Sequence, residues 1–568
     1  MKYFKKLMFF SVLFVTLFTL VFSGCSTGRD TGGSQAADSR ATGGQAATPT
    51  KSNTDFAKAQ NPVKADECYE CHDTIKSFHS TGTHKEVNCI SCHNALPEHI
   101  ADASTRPATD FSWDACGTCH VDQMKSISSM AYHRPARDDK SQPTNRSPIW
   151  FEKLMMPHGF TKEHAITRPH AVMLLDQYVV DRAFGGRFQP KNGWEYVLET
   201  GKVWDILEDT HPEEKGQKVF LPQTAMAANP VCISCKTADL MLDWPYLGEP
   251  GKGAPYDRTS NVVEMAKNTN YSINCVFCHD PHSAKPRIIR DALIDALERP
   301  GTMYQRDANR TGITVYTMGE RGYDRKIAIL DKPDSRLMCA QCHVEYNCNA
   351  GVDTETGAPI GFSSPLTNYF PLVDAMEMYE HYIVGEKFAD FKNKFSGAFM
   401  LKMQHPEFET YYESAHSKLG VGCSDCHMAP PAKKRGATSH FVESPRYIMK
   451  ETCLTDKCHS KWTEEQGIYA INSVKAYTKG RMRKAEFWLS TLIDKIQEGR
   501  IVGISSEVLQ NARTSHSEAH VLWEYWTAEN SDGFHNPELA RASLTKSITI
   551  SQNAIDAIDK AINDKLAK

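Results

Sequence analysis

Residues 275–279 read Cys-Val-Phe-Cys-His, and this pattern of two cysteines followed at once by a histidine recurs along the chain. Six copies have two residues between the cysteines and a seventh has four, and together they are Cys68/Cys71/His72, Cys89/Cys92/His93, Cys116/Cys119/His120, Cys275/Cys278/His279, Cys339/Cys342/His343, Cys423/Cys426/His427 and Cys453/Cys458/His459. Such a motif attaches c-type haem, because the thiols bond to the porphyrin and the histidine binds the iron. A zinc site requires no histidine after each cysteine pair, so seven such histidines favour haem.

An eighth cysteine pair, Cys232 and Cys235, is followed by Lys236 in place of histidine. The alternatives are a degenerate copy that binds nothing, a plain redox pair, and a haem whose iron is bound by the lysine amine. Burial and the charge of the ferric ion both favour the neutral amine that binding requires. A haem bound in this way would bring the predicted number of haem c groups to eight.

The composition excludes two other kinds of protein. A net charge of −4 over 568 residues gives no basic excess, so a nucleic-acid partner is not expected. The 18 cysteines would suggest a disulfide framework in an exported protein, but sixteen of them stand in the eight pairs and only Cys25 and Cys348 are left over.

The N-terminus is typical of an exported protein. Three lysines within the first six residues precede an apolar run that ends in Ser-Gly before Cys25. Residues 1–25 are therefore predicted to be a lipoprotein signal peptide, which would anchor the chain through Cys25 on the periplasmic side of a bacterial envelope. An uncleaved membrane anchor is the alternative. Residues 26–62 are rich in Gly, Ser, Ala, Thr and Gln and predict a flexible linker.

The spacing of the motifs divides the rest of the chain. Residues 63–145 hold three motifs and are predicted to form an N-terminal three-haem domain, and residues 146–462 hold five and form a catalytic five-haem core. Residues 463–568 are predicted to be a C-terminal helical part with a distal haem ligand. This part contains three amphipathic segments, which are 464–498, 505–530 and 537–566. Few segments alternate like strands, so we predict a mainly α multihaem cytochrome c fold, with long loops around eight haems and a C-terminal long-helix bundle.

Several stretches resemble the ammonia-forming cytochrome c nitrite reductases. Beside Cys232–Lys236 they are Cys275–His282, Cys339–Tyr346, Lys402–Pro406, Ala415–His416, Ser439–His440 and Phe534–Pro537. The resemblance covers roughly residues 165 to 540, and the motifs occur in the family's order. The three additional N-terminal motifs, together with Cys348 two residues after Tyr346, resemble the octahaem nitrite reductases of this superfamily.

The resemblance implies an active site on the open face of the iron bound by Lys236. Arg182 would supply fixed positive charge and a forked hydrogen-bond donor, with Arg187 as the alternative. His405 would hold charge and deliver protons, and Tyr346 would donate a hydrogen bond or a proton. Donors that are already in place stabilise the charge that develops during the reaction.

Two further features of the site are implied by the same resemblance. The ring of Tyr346 would be cross-linked to Cys348, for which an ordinary buried thiol is the alternative. A calcium ion would be bound by oxygen atoms of Glu345 and Gln404 and by the carbonyls of Tyr346 and Lys402. The alternative to this ion is a direct ion pair between Glu345 and Lys402.

Each of the other seven irons needs a second histidine. For the core haems the resemblance implies the distal ligands His170, His416, His440 and His535. For the first three haems we predict the distal ligands His84, His99 and His133. Their competitors nearby are His79, His158 and His164.

The implied reaction is the six-electron reduction of nitrite to ammonium at the lysine-ligated haem, fed by seven bis-histidine haems. One alternative is an octahaem hydroxylamine oxidoreductase, against which Lys236 argues because that family has histidine there. Another is a pure electron-transfer cytochrome, and sulfite or hydroxylamine are alternative substrates. The expected partners are nitrite, a periplasmic or membrane electron donor, and further copies of the chain in a homo-oligomer.

Overall fold

The computed structural model describes most of the chain from residue 64 onward. The described residues are 64–94, 96–127, 153–154, 170, 230–238, 256–260, 265, 272–318, 324–347, 350–431 and 437–567. The chain divides into two units, Met1–Gln45 and Ala46–Lys568, and all described residues belong to the second. The predicted signal peptide with Cys25 and the predicted linker therefore lie outside the described residues.

Helices dominate the described residues. The α-helices are α1 (Ala65–Tyr69), α2 (Asp73–His79), α3 (Leu96–Ala101), α4 (Trp113–Gly117), α5 (Val121–Ile127), α6 (Pro230–Ser234), α7 (Cys275–Cys278), α8 (Asp291–Glu298), α9 (Met303–Arg306), α10 (Ser335–Cys339), α11 (Glu407–Tyr412), α12 (Ala415–Lys418), α13 (Cys423–His427), α14 (Met449–Thr452), α15 (Glu464–Val502), α16 (Ser506–Ala528) and α17 (Pro537–Leu566). Short 3₁₀ helices occur at Cys89–Ser91, Pro365–Asn368 and Pro445–Tyr447, and a π-helix occurs at Glu380–Gly385. The fold is therefore mainly α with a long-helix bundle at its C-terminal end, as the sequence predicts.

Seven short strands form three small antiparallel sheets in the part of the chain that the structure describes. They are β1 (Arg287–Ile288), β2 (Ile313–Met318), β3 (Arg325–Leu330), β4 (Val352–Asp353), β5 (Phe388–Ala389), β6 (Phe391–Lys392) and β7 (Phe399–Met400), in the orders β1-β3-β2, β4-β5 and β6-β7. The largest sheet pairs β2 with β3 from Ile313↔Leu330 to Met318↔Arg325. Its strand β1 contacts both α7 and α10, which carry cysteines of two different motifs. The sheet therefore positions two predicted haem sites.

The ends of the bundle helices follow from residues that the sequence displays. Thr463 and Gln466 each accept a hydrogen bond from the other's backbone amide, which is a capping box at the start of α15. Gly503 has φ +76°, the left-handed conformation that commonly ends a helix, so α15 continues one turn beyond its predicted end. Ser505 caps α16, and Pro537 occupies the first turn of α17, where its missing N–H leaves no bond unmade.

The three long helices bury one apolar face each against the others. Leu489 and Ile493 of α15, Trp526 of α16 and Leu544 of α17 are all fully buried in one cluster. The indole Nε1 of Trp526 donates to Ser543 Oγ at 2.7 Å, so the polar edge of this large side chain is satisfied. None of the helices among the described residues is both long enough and apolar enough to cross a bilayer.

Replacement of Leu489 by alanine is expected to lower the free energy of unfolding by about 2–5 kcal/mol. The substitution removes fully buried methyl groups and leaves a cavity between α15 and its neighbours. Guanidinium denaturation followed by far-ultraviolet circular dichroism measures the change. Ile501→Ala is the matched control, because Ile501 lies on the same helix and is 87% exposed. Equal effects of the two substitutions would contradict this description of the bundle.

Candidate functional site

Each cysteine motif forms a tight backbone turn. In six motifs the amide nitrogen of the histidine donates to the carbonyl oxygen of the first cysteine, and these bonds are His72→Cys68 (3.1 Å), His93→Cys89 (2.9 Å), His120→Cys116 (2.9 Å), His279→Cys275 (3.0 Å), His343→Cys339 (2.9 Å) and His459→Cys453 (3.0 Å). In the eighth motif the amide of Lys236 donates to Ile233 O at 2.7 Å. Residues three and four apart lie on the same face of a helical turn. The turn therefore directs both thiols and the histidine to one side.

Every histidine that follows a cysteine pair lies across from a second histidine. The distances between ring centres are 6.0 Å for His72–His99, 6.0 Å for His84–His120, 6.3 Å for His93–His282, 6.3 Å for His170–His343, 6.4 Å for His279–His440, 6.3 Å for His416–His459 and 6.3 Å for His427–His535. A metal–imidazole bond is about 2 Å long, and the ring centre lies about 1 Å beyond the nitrogen. Two imidazoles on opposite faces of one iron thus have centres roughly 6 Å apart, so haem fits between these rings.

The hydrogen bonds of the histidines also fit metal binding. In four of them Nδ1 lies within hydrogen-bonding distance of a backbone carbonyl, and these contacts are His84–Pro281 (2.8 Å), His99–Thr105 (2.8 Å), His427–Glu443 (3.0 Å) and His440–Thr438 (3.1 Å). A histidine that binds a metal usually has its other nitrogen held in this way, which fixes the ring and the tautomer. In these four rings Nε2 is left for the metal.

A continuous cavity of about 2810 Å³ runs past these residues. Its lining includes cysteines from seven of the eight pairs, together with Lys236 and most of the paired histidines. Ordinary small-molecule pockets are roughly 300–1,000 Å³, so the space is several times larger than one ligand needs. The cavity therefore suits a row of large apolar groups held by these cysteines.

The first motif differs from the others, although the sequence gives all of them the same role. Cys71 is exposed, and neither Cys71 nor Cys68 lines the cavity. Cys119 and Cys458 are also exposed, but both of them do line it. The physical reason is that the preceding helix α1 has no buried residues, so little of the described protein covers this turn. Attachment of haem at Cys68 and Cys71 stays a prediction, which is supported by the His72–His99 pair.

Cysteines from different motifs lie in contact with one another. The side chains within hydrogen-bonding contact are Cys68 with Cys89, Cys116 with Cys275, Cys235 with Cys342, and Cys339 with Cys423. Further pairs interact electrostatically at longer range, and they are Cys92 with Cys116, Cys278 with Cys339, and Cys426 with Cys453. The attachment points of successive groups thus lie near one another, although some of the motifs are far apart in sequence.

The surroundings of Lys236 differ from those of the motif histidines. Tyr346 and His405 line the same cavity as Lys236, and their rings are stacked with centres 6.2 Å apart. Lys236 acts electrostatically on His405 and His343, so it lies close to both. The structure thus brings Lys236, Tyr346 and His405 together, as the resemblance implies.

His405 is partly buried in the cavity wall, and this bears on the role predicted for it. Burial is the main cause that lowers the pKa of His405, to about 3, and the charges of Lys236 and His343 act in the same direction. The imidazole is therefore neutral near pH 7. It can donate a hydrogen bond and pass on a proton, but it does not hold a positive charge in the resting protein, contrary to the sequence-based expectation.

A group of buried carboxyl side chains lies behind Tyr346. Glu345 is 1% exposed, its Oε2 accepts from Gln404 N at 2.7 Å, and its amide donates to the Glu409 carboxylate at 3.1 Å. Burial raises the pKa of Glu345 and of Glu409 well above the usual range. The alternative of a Glu345–Lys402 ion pair is not formed, since Lys402 Nζ donates instead to the Met403 carbonyl at 2.5 Å.

Arg290 is a buried cation that the sequence did not single out. It is 0% exposed, and none of its three side-chain nitrogens has a hydrogen-bond partner among the described residues. Its guanidinium interacts electrostatically with Cys235, Cys342 and Tyr346, so it adds positive charge near the site. A single arginine in a loop gives no sequence signal that distinguishes it from a surface arginine.

Several predicted residues lie outside the described residues. They are Arg182 with its alternative Arg187, Cys348, His133 with its competitors His158 and His164, and the side chain of Cys232. The predicted competitor His79 is described, and both of its ring nitrogens are engaged, Nδ1 by the Tyr69 hydroxyl and Nε2 by Val87 O. His282, which pairs with His93, was not predicted as a ligand, although it is the last residue of the Cys275–His282 stretch quoted from the sequence.

The chain is similar to several known proteins. A profile described as Cytochrome c552 matches residues 124–567. The chain is 28% identical over 424 residues to the cytochrome c nitrite reductase subunit NrfA of Nitratidesulfovibrio vulgaris (strain Hildenborough), covering 70% of this chain and 71% of that protein. It is 27% identical over 407 residues to the cytochrome c-552 of Parabacteroides distasonis, covering 70% and 68%.

Among solved structures, the cytochrome c nitrite reductase from Desulfovibrio desulfuricans ATCC 27774 aligns with a TM-score of 0.46 and 23% identity, over 72% of this chain and 78% of that one. The Cytochrome c552 profile shows the family of this chain, because it matches more than half of the sequence, from α5 to the end of the bundle. The chain belongs to the cytochrome c552 family.

Proposed function

We propose that this protein binds eight haem c groups and reduces nitrite to ammonium at the haem attached through Cys232 and Cys235. The observation that carries the proposal is the contrast between eight otherwise similar motifs. Seven motif histidines each lie across from a second histidine, whereas the lysine motif shares its cavity with Tyr346 and His405. Seven irons would thus be closed on both faces, and one would be bound by Lys236 and open to substrate.

The distal ligands follow from the ring pairs. We assign His99, His84, His170, His440, His416 and His535 as the partners of His72, His120, His343, His279, His459 and His427. These assignments agree with six of the seven distal ligands predicted from the sequence. Two imidazoles would close each of these irons against substrate, so these haems would only transfer electrons.

The contacts between cysteines of different motifs support a route for those electrons. In this route the haems follow one another in the order of their proximal ligands His72, His93, His120, His279, His343, His427 and His459. The contact between Cys235 and Cys342 would place the lysine-ligated haem next to the haem of His343. Electrons from either end of the row would therefore reach Lys236 through the same neighbour.

The reaction takes up six electrons and eight protons: NO₂⁻ + 6 e⁻ + 8 H⁺ gives NH₄⁺ and two water molecules. The iron, when bound, supplies the site that accepts nitrite and delivers the electrons. The neutral imidazole of His405 and the hydroxyl of Tyr346 then donate hydrogen bonds to the substrate oxygens and pass protons to them. Arg182 is proposed to complete the set, because a guanidinium binds a small anion through two donors at once.

Calcium is proposed to bind beside Tyr346, through Glu345 and Gln404 and through the carbonyls of Tyr346 and Lys402. The buried carboxyl groups support this, because burial disfavours their charged form unless a cation is close. A divalent ion bound by oxygen atoms would supply that charge and fix the segments that carry Tyr346 and His405.

Replacement of Glu345 by glutamine is expected to remove the bound calcium and to lower ammonium formation roughly 10–100-fold, the usual cost of disturbing the groups that orient a metal site. Elemental analysis of the purified protein and the rate of ammonium production measure the two effects. Glu355→Gln is the control, because this carboxylate is exposed in the loop after β4. Unchanged calcium content in Glu345→Gln would refute the assignment.

The remaining predictions extend this proposal. A thioether between Tyr346 and Cys348 would lower the pKa of the phenol and ease proton donation.

We further propose that the chain is a lipoprotein anchored at Cys25 on the periplasmic side of a bacterial envelope. It would receive electrons from a periplasmic or membrane donor and assemble as a homo-oligomer, and hydroxylamine and sulfite would be further substrates.

The direct test supplies nitrite and a reduced viologen to the purified holoprotein. If the proposal is correct, one ammonium ion forms for each nitrite ion consumed, and the viologen supplies six electrons. Failure to form ammonium in a protein that carries all eight haems would reject the enzymatic function and leave an electron-transfer cytochrome.

A further inference from the structure

The pair His93–His282 was not predicted from the sequence and joins two distant parts of the chain. His93 belongs to the second motif of the predicted N-terminal three-haem domain, and His282 follows the fifth motif, in the predicted core. Their ring centres lie 6.3 Å apart with an angle of 11° between the ring planes. This separation matches the other six pairs and the distance that two axial imidazoles require.

Of the two rings, His93 has a hydrogen-bond partner at Nδ1, which lies 3.1 Å from Thr109 Oγ1. Nδ1 of His282 is buried and lies 3.8 Å from Asp280 Oδ2, which is too far for a hydrogen bond. The contact with Thr109 orients the His93 ring, as the second nitrogen of a metal-binding histidine usually does.

The loop that carries His282 is held in one conformation. Oδ1 of Asp280 accepts from His282 N at 3.1 Å and from Ser283 N at 2.7 Å. The amide of Ala284 donates to Asp280 O at 2.7 Å, and Ala284 has φ +61°, which few residues other than glycine adopt. Arg287 forms an ion pair with Asp280 from the other side at 3.3 Å. The backbone that carries His282 is therefore held in place by contacts within the loop.

The same loop docks onto the N-terminal part of the chain. His84 Nδ1 lies 2.8 Å from Pro281 O, and Thr83 N donates to Ser283 O at 3.3 Å. Gly82 packs so closely on this loop that a Cβ atom there would overlap Ser283 Cα. The loop thus orients His84, the partner of His120, while it presents His282 to His93.

We propose that Nε2 of His282 is the second axial ligand of the haem iron attached through Cys89 and Cys92. This inference rests on the proposed function, because it requires haem at this motif. It gives His282 the role of distal ligand that the sequence analysis predicted for His133. Among the described histidines, His79 is no competitor, because both of its ring nitrogens are already engaged. One iron would then bind ligands from both the three-haem domain and the core, and it would fix the two against each other.

The ring angle gives this haem a spectroscopic signature. Each imidazole π orbital interacts with one of the two iron dπ orbitals, so nearly parallel rings split these orbitals strongly and nearly perpendicular rings leave them close in energy. The first arrangement gives a rhombic low-spin ferric spectrum, and the second gives a spectrum with one large g value. His93–His282 has the smallest angle of the seven pairs, 11°, whereas His416–His459 and His427–His535 stand at 75° and 76°.

The test is electron paramagnetic resonance of the ferric holoprotein and of His282→Gly. The variant is expected to lose the most rhombic low-spin component and to gain a high-spin component of about one haem, and added imidazole should restore the low-spin signal. Lys285→Ala is the matched control, because its exposed side chain lies in the same loop. A second variant, His282→Met, keeps a ligand and is expected to raise the reduction potential of one haem, since methionine ligation does so.

His133→Gly distinguishes the two candidate ligands. If His282 is the ligand, the electron paramagnetic resonance spectrum of His133→Gly should match that of the wild type. Retention of all low-spin components in His282→Gly together with loss of one in His133→Gly would overturn the assignment to His282 and leave the proposed function intact. Absence of haem from the wild-type peptide that contains Cys89 and Cys92 would contradict both, and peptide mass spectrometry reports it independently.

Discussion

Replacement of Lys236 by histidine is expected to leave the haem attached and to lower the rate of ammonium formation by roughly 100-fold or more. The variant contains a complete cysteine–cysteine–histidine motif, so attachment should proceed as at the other seven sites. An imidazole is shorter than a lysine side chain, however, and would draw the iron toward the backbone of Lys236 and away from Tyr346 and His405. A displacement of about 1 Å in a positioned site is enough to cost about 100-fold in rate.

The measurement is the rate of ammonium formation from nitrite, with the number of attached haems checked by intact-protein mass spectrometry. Lys457→His is a suitable control, since it places the same substitution at an exposed position inside another cysteine motif. A Lys236→His protein with eight haems and the wild-type rate would show that the amine is not needed, and the special role of this motif would be lost.

His405→Asn is expected to reduce the catalytic rate constant by about 10²–10⁴-fold, the usual contribution of a group that transfers protons in the transition state. His405 lies in the cavity with its ring stacked on Tyr346, and burial keeps its imidazole neutral near pH 7. The asparagine amide can still donate a hydrogen bond, but it cannot pass on a proton. The substitution therefore tests proton delivery separately from simple binding.

Steady-state kinetics with nitrite would show the loss mainly in kcat, because the hydrogen bond to the bound anion is partly kept. His381→Asn is the matched control. His381 is also partly buried in the core, where it contacts the Tyr369 hydroxyl at 3.0 Å, but it does not line the cavity. A loss of equal size in both variants would indicate damage to the fold, and no loss in His405→Asn would remove His405 from the catalytic set.

The helical bundle could be predicted from the sequence because its signals are local. The capping box at Thr463, the left-handed Gly503 and the proline at position 537 each act on neighbouring residues, and the apolar positions repeat every three or four residues. The positions of the cysteine motifs are equally local, since each is a single turn of backbone. Both the bundle and the positions of the motifs therefore follow from the sequence without knowledge of the tertiary structure.

The surroundings of each motif, by contrast, depend on what packs against it. Cys71 and Cys278 hold the same place in identical spacings, yet the first is exposed and outside the cavity and the second lines it. The difference arises because α7 packs against β1 of the largest sheet, whereas α1 has no buried residues. A local motif therefore predicts the chemistry of attachment and leaves the depth of the site open.

The pairing of the histidines could not be derived from such signals. His93 and His282 are nearly 190 residues apart, and they meet only because the Asp280 loop docks beside Thr83 and His84. No periodicity or spacing marks a distal ligand, and for the first three haems every nearby histidine was a candidate. Partners of this kind depend on how loops are brought together in three dimensions.

The electrostatics of the active site also depended on the fold. His405 was expected to hold charge, but its partial burial in the cavity wall favours the neutral form. Likewise, the buried carboxyl of Glu409 beside Glu345 is visible only once α11 is placed against the loop that follows the His343 motif. The sequence identifies the residue types at a site, whereas their burial in the folded protein determines their protonation states.

The most direct test of the account is a count of spin states in the ferric holoprotein, before and after nitrite is added. Electron paramagnetic resonance, calibrated against the total haem content, should show seven low-spin haems and one high-spin haem, and the high-spin signal alone should disappear when nitrite binds. Eight low-spin haems that nitrite leaves unchanged would contradict the account, because no iron would then have an open face.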